Sequence, residues 1–403
     1  MAIDISQTSP AQWRYISEGN VTIVFSYNGP HHPTFTGKAL RIRKAPRETQ
    51  GPHSPFQGDL AAFQQNVLPR LLDPAYLPDL QTVPLQANWV EVLSKQHEPF
   101  RPQERRITSK VDCSRRTAVL VTDLIGGLTC AVELKPKWGF LPNCLHLSPE
   151  TKPIKTQTCR TCMHGHLKRT EGVNAATQYC PLDLFSGSKA RLETALGGLW
   201  DSWIRFNGSI NSLRIFNHGK VVLPDDELTL RAWSRETFSL PTDAPITSIK
   251  SSFINSLLLQ ILRTPLLNRI SSLQRSLDSL DCEGLAKLIE ISPIFDLTQP
   301  TMEDWASFVD TFLSPKHQNH SDFSPTNLRY HSLSYALSAT FKDCSLIIPL
   351  HSDWADDEHG DNIKVVDLEI KSVENIPRWL KLDQRIVNEY AKLEQTMRKS
   401  CIE

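Results

Sequence analysis

The sequence lacks an apolar run that approaches the roughly 20 residues of a membrane-spanning helix. Its best candidate, residues 346–350, has only the length of a strand. Residues 1–4 read MAID, so we expect no signal peptide. The chain also lacks an excess of either charge, since its 44 Lys and Arg balance its 44 Asp and Glu. Proteins that coat nucleic acid are usually clearly basic, and we therefore expect neither a membrane nor a nucleic acid as partner.

Disulfide scaffolds and phosphate loops are also missing. The nine cysteines are an odd number without the spacing of a disulfide framework, which favours a reducing compartment, the cytoplasm or the nucleus. No Walker pattern, internal repeat or heptad run occurs. The 403 residues are 40% hydrophobic and 22% charged, as in an ordinary protein with two or three domains or one two-lobed enzyme.

Positive charge is concentrated in residues 101–170, which contain thirteen Lys and Arg against five Asp and Glu. Strand alternation would place Glu133, Lys135 and Lys137 on one face, and helical spacing would align Arg160, His164 and Lys168. Like charges arranged in this way repel one another unless an anion neutralises them. A solvated surface explains most charge excesses, but two aligned sets favour a phosphate site.

Two carboxylates accompany predicted strands. Asp343 comes just before the apolar residues 346–350, and Asp367 interrupts the apolar run 364–368. A carboxylate in an apolar strand is costly unless it is paired or holds a metal. The pair is typical of a magnesium and proton-acceptor site for phosphoryl transfer, whereas a turn or cap is the plainer alternative for either residue alone.

Thiol and imidazole groups predict a structural zinc site. Cys144 and His146 are followed after twelve residues by Cys159 and Cys162, a set that suits tetrahedral zinc. His164 could replace His146 as the fourth ligand. The alternative is that these cysteines are free and reduced.

Apolar patterning predicts an α+β fold. Residues 13–44 indicate two strands around a turn. Gly19 before the first strand is a weak signal for a phosphate loop. Arg41 on the second strand could reach nucleotide phosphates, although an exposed strand arginine is the plainer alternative when it is taken alone. Helices are predicted at residues 60–72, 187–199, 246–263 and 377–398, and further strands at 117–122, 130–134, 346–350 and 363–370. We expect an N-terminal lobe at residues 1–125, a larger lobe at 126–403 and an irregular insertion at about 290–330.

Several of these segments resemble the inositol-pentakisphosphate 2-kinases, fungal type. Residues 132–142 read VELKPKWGFLP, similar to the ExKPKxGF(L/I)P motif, and residues 179–187 read YCPLDLFSG, similar to YxPLDLFSG. Further matches, in family order, are CRTCMHGHLK at 159–168, NSLRIF at 211–216, KDCS at 342–345 and VDLEIK at 366–371. The resemblance implies a two-lobed inositol polyphosphate kinase fold, distantly protein-kinase-like. It also implies ATP- and Mg²⁺-dependent phosphorylation of the 2-hydroxyl of inositol 1,3,4,5,6-pentakisphosphate, giving inositol hexakisphosphate (phytate).

The resemblance also assigns roles to residues. Asp343 would orient or deprotonate the hydroxyl, Asp367 would bind Mg²⁺ with Asp343, and Lys135 would take part in catalysis. Substrate phosphates would be bound by Lys137, Arg160, His164, Lys168, Asn211, Arg214, Lys371 and either Arg105 or Arg106. The nucleotide side would comprise Arg41, Gly19, Asp123 and Glu133.

Some positions depart from the family pattern. Ser212 stands where the family often has a second Asn, and Asn375 and Trp379 stand where plant members carry Arg and Tyr. Arg378 could compensate from the same helix. The alternatives are a zinc-stabilised basic module that binds RNA or phosphoinositides without catalysis, and a kinase of other positional specificity. For the enzyme we expect a monomer in the nucleus, the cytoplasm or both.

Overall fold

The computed structural model describes residues 3–19, 21–47, 60–127, 130–173, 179–314, 322–350 and 363–403. Strands are formed by Trp13–Glu18 (β1), Thr22–Tyr27 (β2), Lys38–Pro46 (β3), Leu80–Pro84 (β4), Ser109–Val111 (β5), Thr117–Thr122 (β6), Cys130–Leu134 (β7), Leu213–Asn217 (β8), Lys220–Val221 (β9), Ser345–Leu350 (β10) and Lys364–Val366 (β11). Helices are formed by Leu60–Asn66 (α1), Ala87–His97 (α2), Gln103–Thr108 (α3), Lys152–Lys155 (α4), Arg160–Thr170 (α5), Pro181–Leu184 (α6), Lys189–Arg205 (α7), Glu227–Phe238 (α8), Ile246–Arg263 (α9), Leu266–Leu277 (α10), Asp281–Ile291 (α11), Met302–Leu313 (α12), Leu328–Lys342 (α13) and Ile376–Ala391 (α14).

Two sheets and many helices confirm the α+β class. One sheet has the order β1-β2-β3-β6-β4, with β5 paired to β3, and the other has the order β11-β10-β7-β8-β9. The strand pairs whose register is described are antiparallel. Among the described residues, every helix is too short or too polar to cross a bilayer.

The described residues fall into two units. Unit 1 lies within Met1–Ser54, Leu77–Ala131 and Ile215–Val221, and unit 2 lies within Pro55–Tyr76, Val132–Arg214 and Val222–Glu403. The expected lobes at 1–125 and 126–403 would divide the chain once, whereas each of these units comprises three segments. Sequence order cannot reveal this division, because both units are assembled from segments that are distant along the chain.

Unit 1 is built on its antiparallel sheet. The β-branched and aromatic residues of β2 favour a strand, and two of them, Ile23 and Phe25, are fully buried. Trp13 of β1 packs edge-on against Trp89 of α2, with ring centroids 6.3 Å apart. The expected two strands around a turn are in fact three, because β1 precedes Gly19 and pairs with β2.

Unit 2 contains the helices that the apolar spacing predicts best. In α9, buried Ile249, Phe253, Leu257 and Ile261 recur every four residues along one face. In α5, Met163 and Leu167 belong to a core cluster that also contains Ile386 and Val387 of α14. Burial of that stripe leaves the stripe of Arg160, His164 and Lys168 on another face of α5.

Several predicted elements differ from the structure. Helix α1 ends at Asn66, α7 extends to Arg205 and α14 ends at Ala391. Residues 290–330 are not an irregular insertion throughout, since they include all of α12 and the start of α13; residues 315–321 of that stretch lie outside the described part. The strand expected at 363–370 is shorter, since β11 ends at Val366. Asp367 then adopts a φ of 59°, a value incompatible with a continuing strand.

Candidate functional site

Lys135 and Asp367 form an ion pair in unit 2. Lys135 follows the last residue of β7, and its Nζ donates a hydrogen bond to Oδ2 of Asp367 at 3.0 Å. Burial alone would lower the pKa of Lys135, but attraction by Asp367 and Glu133 outweighs burial and raises it. Lys135 is therefore positively charged at neutral pH, beside a carboxylate whose side chain is still 45% exposed.

The hydroxyl of Ser345 lies between two carboxylates. Its Oγ is 2.9 Å from Oε1 of Glu133 and 3.0 Å from Oδ2 of Asp367. A hydroxyl carries one proton and can donate to only one acceptor at a time. The other Glu133 oxygen, Oε2, lies 3.6 Å from NH1 of Arg214 on β8. A chain of contacts therefore runs from Lys135 through Asp367, Ser345 and Glu133 to Arg214, with a cation at each end.

Asp343 ends helix α13 and pairs with a second lysine. Nζ of Lys371 donates to Oδ2 of Asp343 at 2.7 Å. The Asp343 side chain is 54% exposed, so its carboxylate is accessible to a ligand. Asp343 also contributes to the raised pKa of Lys135. The two predicted carboxylates, Asp343 and Asp367, thus both lie near Lys135.

Lys137 adopts a left-handed conformation with a φ of 63°, which is uncommon for a residue with a side chain. Burial lowers the pKa of its ammonium to about 8, against the opposing pull of Asp343. In the part of the chain that the structure describes, no carboxylate lies within ion-pair distance of Lys137. A half-buried cation of this kind favours an anionic ligand. The expected single strand face is therefore wrong, because β7 ends at Leu134 and Lys137 lies in a turn.

Gln274 of α10 holds two parts of this site together. It is fully buried, its Oε1 accepts from the Gly139 N–H at 2.8 Å, and its Nε2 donates to the carbonyls of Lys137 and Phe341 at 2.9 and 3.0 Å. Phe341 lies two residues before Asp343. The amide thus fixes the Lys137 turn and the end of α13 relative to each other.

The basic stripe of α5 lies near these groups. Arg160 Nε donates to Oδ1 of buried Asp383 at 3.0 Å, and its guanidinium lies 4.6 Å from the ring centroid of Trp138. Burial and the nearby charges of Arg160, Lys168 and Lys137 lower the pKa of His164 to about 4. His164 is therefore neutral at physiological pH, and the stripe carries two cations rather than three.

Many of the predicted residues come together in unit 2. Contacts and mutual charge effects connect Glu133, Lys135, Lys137, Arg160, His164, Lys168, Arg214, Asp343, Asp367 and Lys371. Asn211 is exposed, one residue before Ser212, whose carbonyl accepts from the Lys135 N–H at 3.0 Å. This arrangement can bind a polyanion beside two accessible carboxylates.

The predicted nucleotide-side residues belong to unit 1. Gly19 is exposed, and Arg41 NH2 lies 3.5 Å from Oγ1 of Thr22. Asp123 is engaged in the turn that follows it, because its Oδ1 accepts from the Gly126 N–H at 2.7 Å. Arg105 and Arg106 are adjacent residues of the short helix α3, and both are half-buried.

The structure does not bring the four predicted cysteine and histidine ligands together. Cys159 and Cys162 do share a cluster, but its other members are Cys180 and Cys401. Cys144 is exposed, and the His146 ring stacks on Phe323 with centroids 4.9 Å apart. The spacing argument failed because it considered only neighbours along the sequence.

Residues outside the sequence prediction complete the site. Ser345 lay within the KDCS segment, two residues after Asp343, and this closeness to a predicted site residue was a usable signal. Gln274 and Asp383 gave no such signal, because an isolated polar residue on an amphipathic helix usually faces solvent. Both are buried in the structure.

Comparisons with known proteins point in one direction. Residues 15–385 match the family model described as inositol-pentakisphosphate 2-kinase. The inositol-pentakisphosphate 2-kinase of Cryptococcus neoformans var. neoformans serotype D (strain JEC21) is 34% identical, over 94% of each chain. Inositol-pentakisphosphate 2-kinase IPK1 of Oryza sativa subsp. indica is 29% identical over 97% of this chain and 96% of its own. The Danio rerio inositol-pentakisphosphate 2-kinase is 25% identical over 98% and 96%.

Proposed function

The chain belongs to the inositol-pentakisphosphate 2-kinase family, and from this premise we propose how its residues perform the reaction of that family. The protein is a kinase that transfers a phosphoryl group to the 2-position of inositol pentakisphosphate, with ATP as the donor. One observation above all supports the assignment of its site to unit 2. Two accessible carboxylates, Asp343 and Asp367, stand beside a cluster of cations that few other functions require.

Asp343 acts as the proton acceptor for the 2-hydroxyl. Its carboxylate is exposed at the end of a helix and is oriented by Lys371. A general base must lie within hydrogen-bond reach of the hydroxyl from which it takes the proton. The Gln274 amide holds the end of α13 from two residues before Asp343, which limits the reorganisation needed when substrate binds.

Asp367 and Asp343 would hold Mg²⁺. Carboxylate oxygens are the hard donors that this ion prefers, and both side chains are accessible to solvent. When bound with ATP, the ion neutralises charge on the transferred phosphoryl group. Lys135, which already pairs with Asp367, adds a fixed positive charge at the same place.

The substrate is bound by the cations that surround these carboxylates. Its five phosphates need many convergent donors, and the half-buried and buried cations of unit 2 supply them. The proposed binding residues of unit 2 are Lys137, Arg160, His164, Lys168, Asn211, Arg214 and Lys371. Arg160 already pairs with Asp383 through Nε, and its remaining guanidinium N–H groups serve the phosphates.

Unit 1 binds the nucleotide. Its antiparallel sheet and helix α2 support the small lobe of a kinase-like fold, which we propose for this chain. Arg41 contacts nucleotide phosphate, Gly19 leaves open space at the β1–β2 turn, and the chain at Asp123 lines the adenine side.

The deciding experiment is incubation of the purified protein with inositol 1,3,4,5,6-pentakisphosphate, Mg²⁺ and ATP, followed by NMR of the product. Inositol hexakisphosphate is the expected product, and its formation should require Mg²⁺. Tight binding of the inositide without turnover would instead support the binding module. A product other than inositol hexakisphosphate, formed from a different inositol phosphate, would support the kinase of other specificity.

A further inference from the structure

Four thiols face one another in unit 2. The Sγ atoms of Cys159, Cys162, Cys180 and Cys401 all lie within 4.8 Å of one another. Sγ of Cys159 and Sγ of Cys180 are 3.7 Å apart, much farther than the ~2.05 Å of a disulfide bond. Three of these side chains are buried and Cys162 is half-buried. The cluster therefore brings four reduced sulfurs to one point.

The geometry of this cluster suits a tetrahedral metal ion. Zinc bound by four thiolates has Zn–S distances of ~2.3 Å, which place the sulfurs about 3.8 Å apart. The 3.7 Å between Cys159 and Cys180 is close to that value, and since all separations are within 4.8 Å, binding needs only a small inward movement. Leu141 and Leu182 pack around the sulfurs. A closed, water-poor site with four protein ligands is typical of structural rather than catalytic zinc.

Positive charge is available to balance four thiolates on a divalent ion. Cys159 is the N-cap of α5, and its Sγ accepts from the Cys162 N–H at 3.5 Å. The N-terminus of a helix favours negative charge because its N–H groups point outward.

We propose that Cys159, Cys162, Cys180 and Cys401 bind one structural Zn²⁺ ion, which fastens residues 399–403 to the start of α5. The ligands come from three separate segments of unit 2: the start of α5, the residue before α6 and the last described residues. Hydrogen bonds also join two of these segments directly. The Cys401 N–H donates to the carbonyl of Gln157 at 2.7 Å, and Thr158 Oγ1 donates to the carbonyl of Lys399 at 2.6 Å.

The ion also supports the substrate site, a consequence that rests on the proposed function. Cys159 and Cys162 flank Arg160 and begin the helix that carries His164 and Lys168. Tyr179, adjacent to Cys180, donates from its hydroxyl to the carbonyl of Lys135 at 2.9 Å. Loss of the metal should therefore loosen the basic stripe of α5 and the backbone at Lys135, both proposed to lie at the inositide site. It should raise KM for inositol pentakisphosphate more than KM for ATP.

The test starts from metal content. The untagged full-length protein, purified in a reducing buffer without added metal, should contain about one zinc per chain by plasma mass spectrometry. Cys180→Ser and Cys401→Ser should lose that zinc and unfold at a temperature lower by about 5 °C or more. Cys144→Ser and His146→Asn are the matched controls, since they remove ligands of the sequence-based set, and both should retain the metal.

Cobalt exchange gives a readout that does not depend on the variants or on activity. Wild-type protein exchanged into Co²⁺ should show the intense visible bands of cobalt bound tetrahedrally by thiolates, and added zinc should bleach them. The proposal is overturned by wild-type protein that carries no zinc and shows no such bands. It is also overturned by bound iron and sulfide, by a Cys159–Cys162 disulfide in the purified protein, or by zinc loss in Cys144→Ser.

Failure of this proposal can be distinguished from failure of the proposed function. Protein that contains one zinc but cannot phosphorylate inositol pentakisphosphate would contradict the function alone. Active protein without metal would contradict the zinc site alone. The ratio of the two KM changes in Cys401→Ser then tests whether the ion supports inositide binding, since equal changes would contradict that role.

Discussion

Nζ of Lys371 lies 2.7 Å from Oδ2 of Asp343, so a proposed phosphate ligand and the proposed proton acceptor form one ion pair. The two side chains are 25% and 54% exposed. An exposed pair of this kind contributes only ~0–1 kcal/mol to folding. The pair therefore matters for orientation rather than for folding. A substrate phosphate that binds Lys371 would place the substrate hydroxyl close to the Asp343 carboxylate, which Lys371 holds in position. This relationship makes Asp343 the first residue to test.

Asp343→Asn should lower kcat by about 100- to 10,000-fold, because an amide cannot accept the hydroxyl proton. The affinity for inositol pentakisphosphate should be retained, since the change removes a negative charge near a polyanion. Initial rates and calorimetric binding measure the two effects separately. Asp201→Asn is the matched control, because Asp201 is also exposed and pairs with a lysine, Lys250, at 2.6 Å. Turnover within about tenfold of wild type in Asp343→Asn would remove Asp343 from this role.

Lys137 should make inositide binding depend on pH. Burial lowers its pKa from 10.5 to about 8, so the folded protein loses this charge at a lower pH than the unfolded chain. Between about pH 8 and 10.5 the unfolded chain binds more protons here, and this lysine's contribution to the free energy of unfolding rises with pH. The free energy of substrate binding depends on pH in the opposite direction, because a polyanion binds more tightly when the Lys137 ammonium is charged. The affinity for inositol pentakisphosphate should therefore fall as the pH rises through about 8.

The Lys137→Arg variant isolates this effect. A guanidinium stays charged over the whole range, so the fall in affinity above about pH 8 should become smaller in the variant. The ionisation of the substrate is the same for both proteins and cancels in the comparison. Calorimetry with inositol pentakisphosphate in the absence of ATP gives the dissociation constants. Parallel pH profiles for the two proteins would contradict the assignment.

The sequence predicted the elements of this site better than their arrangement. Helix α9 was predicted with its bounds, because four apolar residues at a spacing of four leave little ambiguity. The stripe of Arg160, His164 and Lys168 was likewise readable from helical period. The charge of His164 was not, since its pKa of about 4 arises from burial and from cations that tertiary structure brings near it.

Long-range partners explain the remaining misses. Cys401 is more than two hundred residues from Cys159 along the chain, so a ligand search by spacing selected the nearer Cys144 and His146. The left-handed backbone at Lys137 and Asp367 also has no local signal such as glycine. Such strained positions persist only where surrounding structure imposes them. The candidate site was thus predictable as a set of residues and not as a geometry.

Lys168 and His164 should contribute unequally to substrate binding. Lys168→Met removes charge-assisted hydrogen bonds and should raise KM for inositol pentakisphosphate by about 10- to 150-fold. His164→Leu removes a neutral hydrogen-bonding group and should raise KM by about 2- to 10-fold. Arg169→Met is the control, because Arg169 is the exposed cation adjacent to Lys168 on α5. Equal effects of the two site variants would indicate that His164 is charged in the complex.

Gln274→Leu should damage both stability and turnover. The substitution leaves the Gly139 N–H and the carbonyls of Lys137 and Phe341 without their partner, at about 1–3 kcal/mol for each buried group. It also frees the Lys137 turn from the end of α13, so kcat should fall even at temperatures where the variant is folded. Chemical unfolding measures the first effect, and initial rates corrected for the folded fraction measure the second.

Gln260→Leu separates the two effects of Gln274. Gln260 is also a buried helical glutamine, and its Nε2 donates to the carbonyl of Pro349 at 3.0 Å, but it has no described hydrogen bond to the Lys137 turn or to α13. Its loss should destabilise the protein while kcat per folded molecule stays near that of wild type. Gln274→Leu should differ by lowering kcat, because Gln274, unlike Gln260, hydrogen-bonds both the backbone of Lys137 and the end of α13. Equal kcat values for the two variants would show that Gln274 supports folding alone.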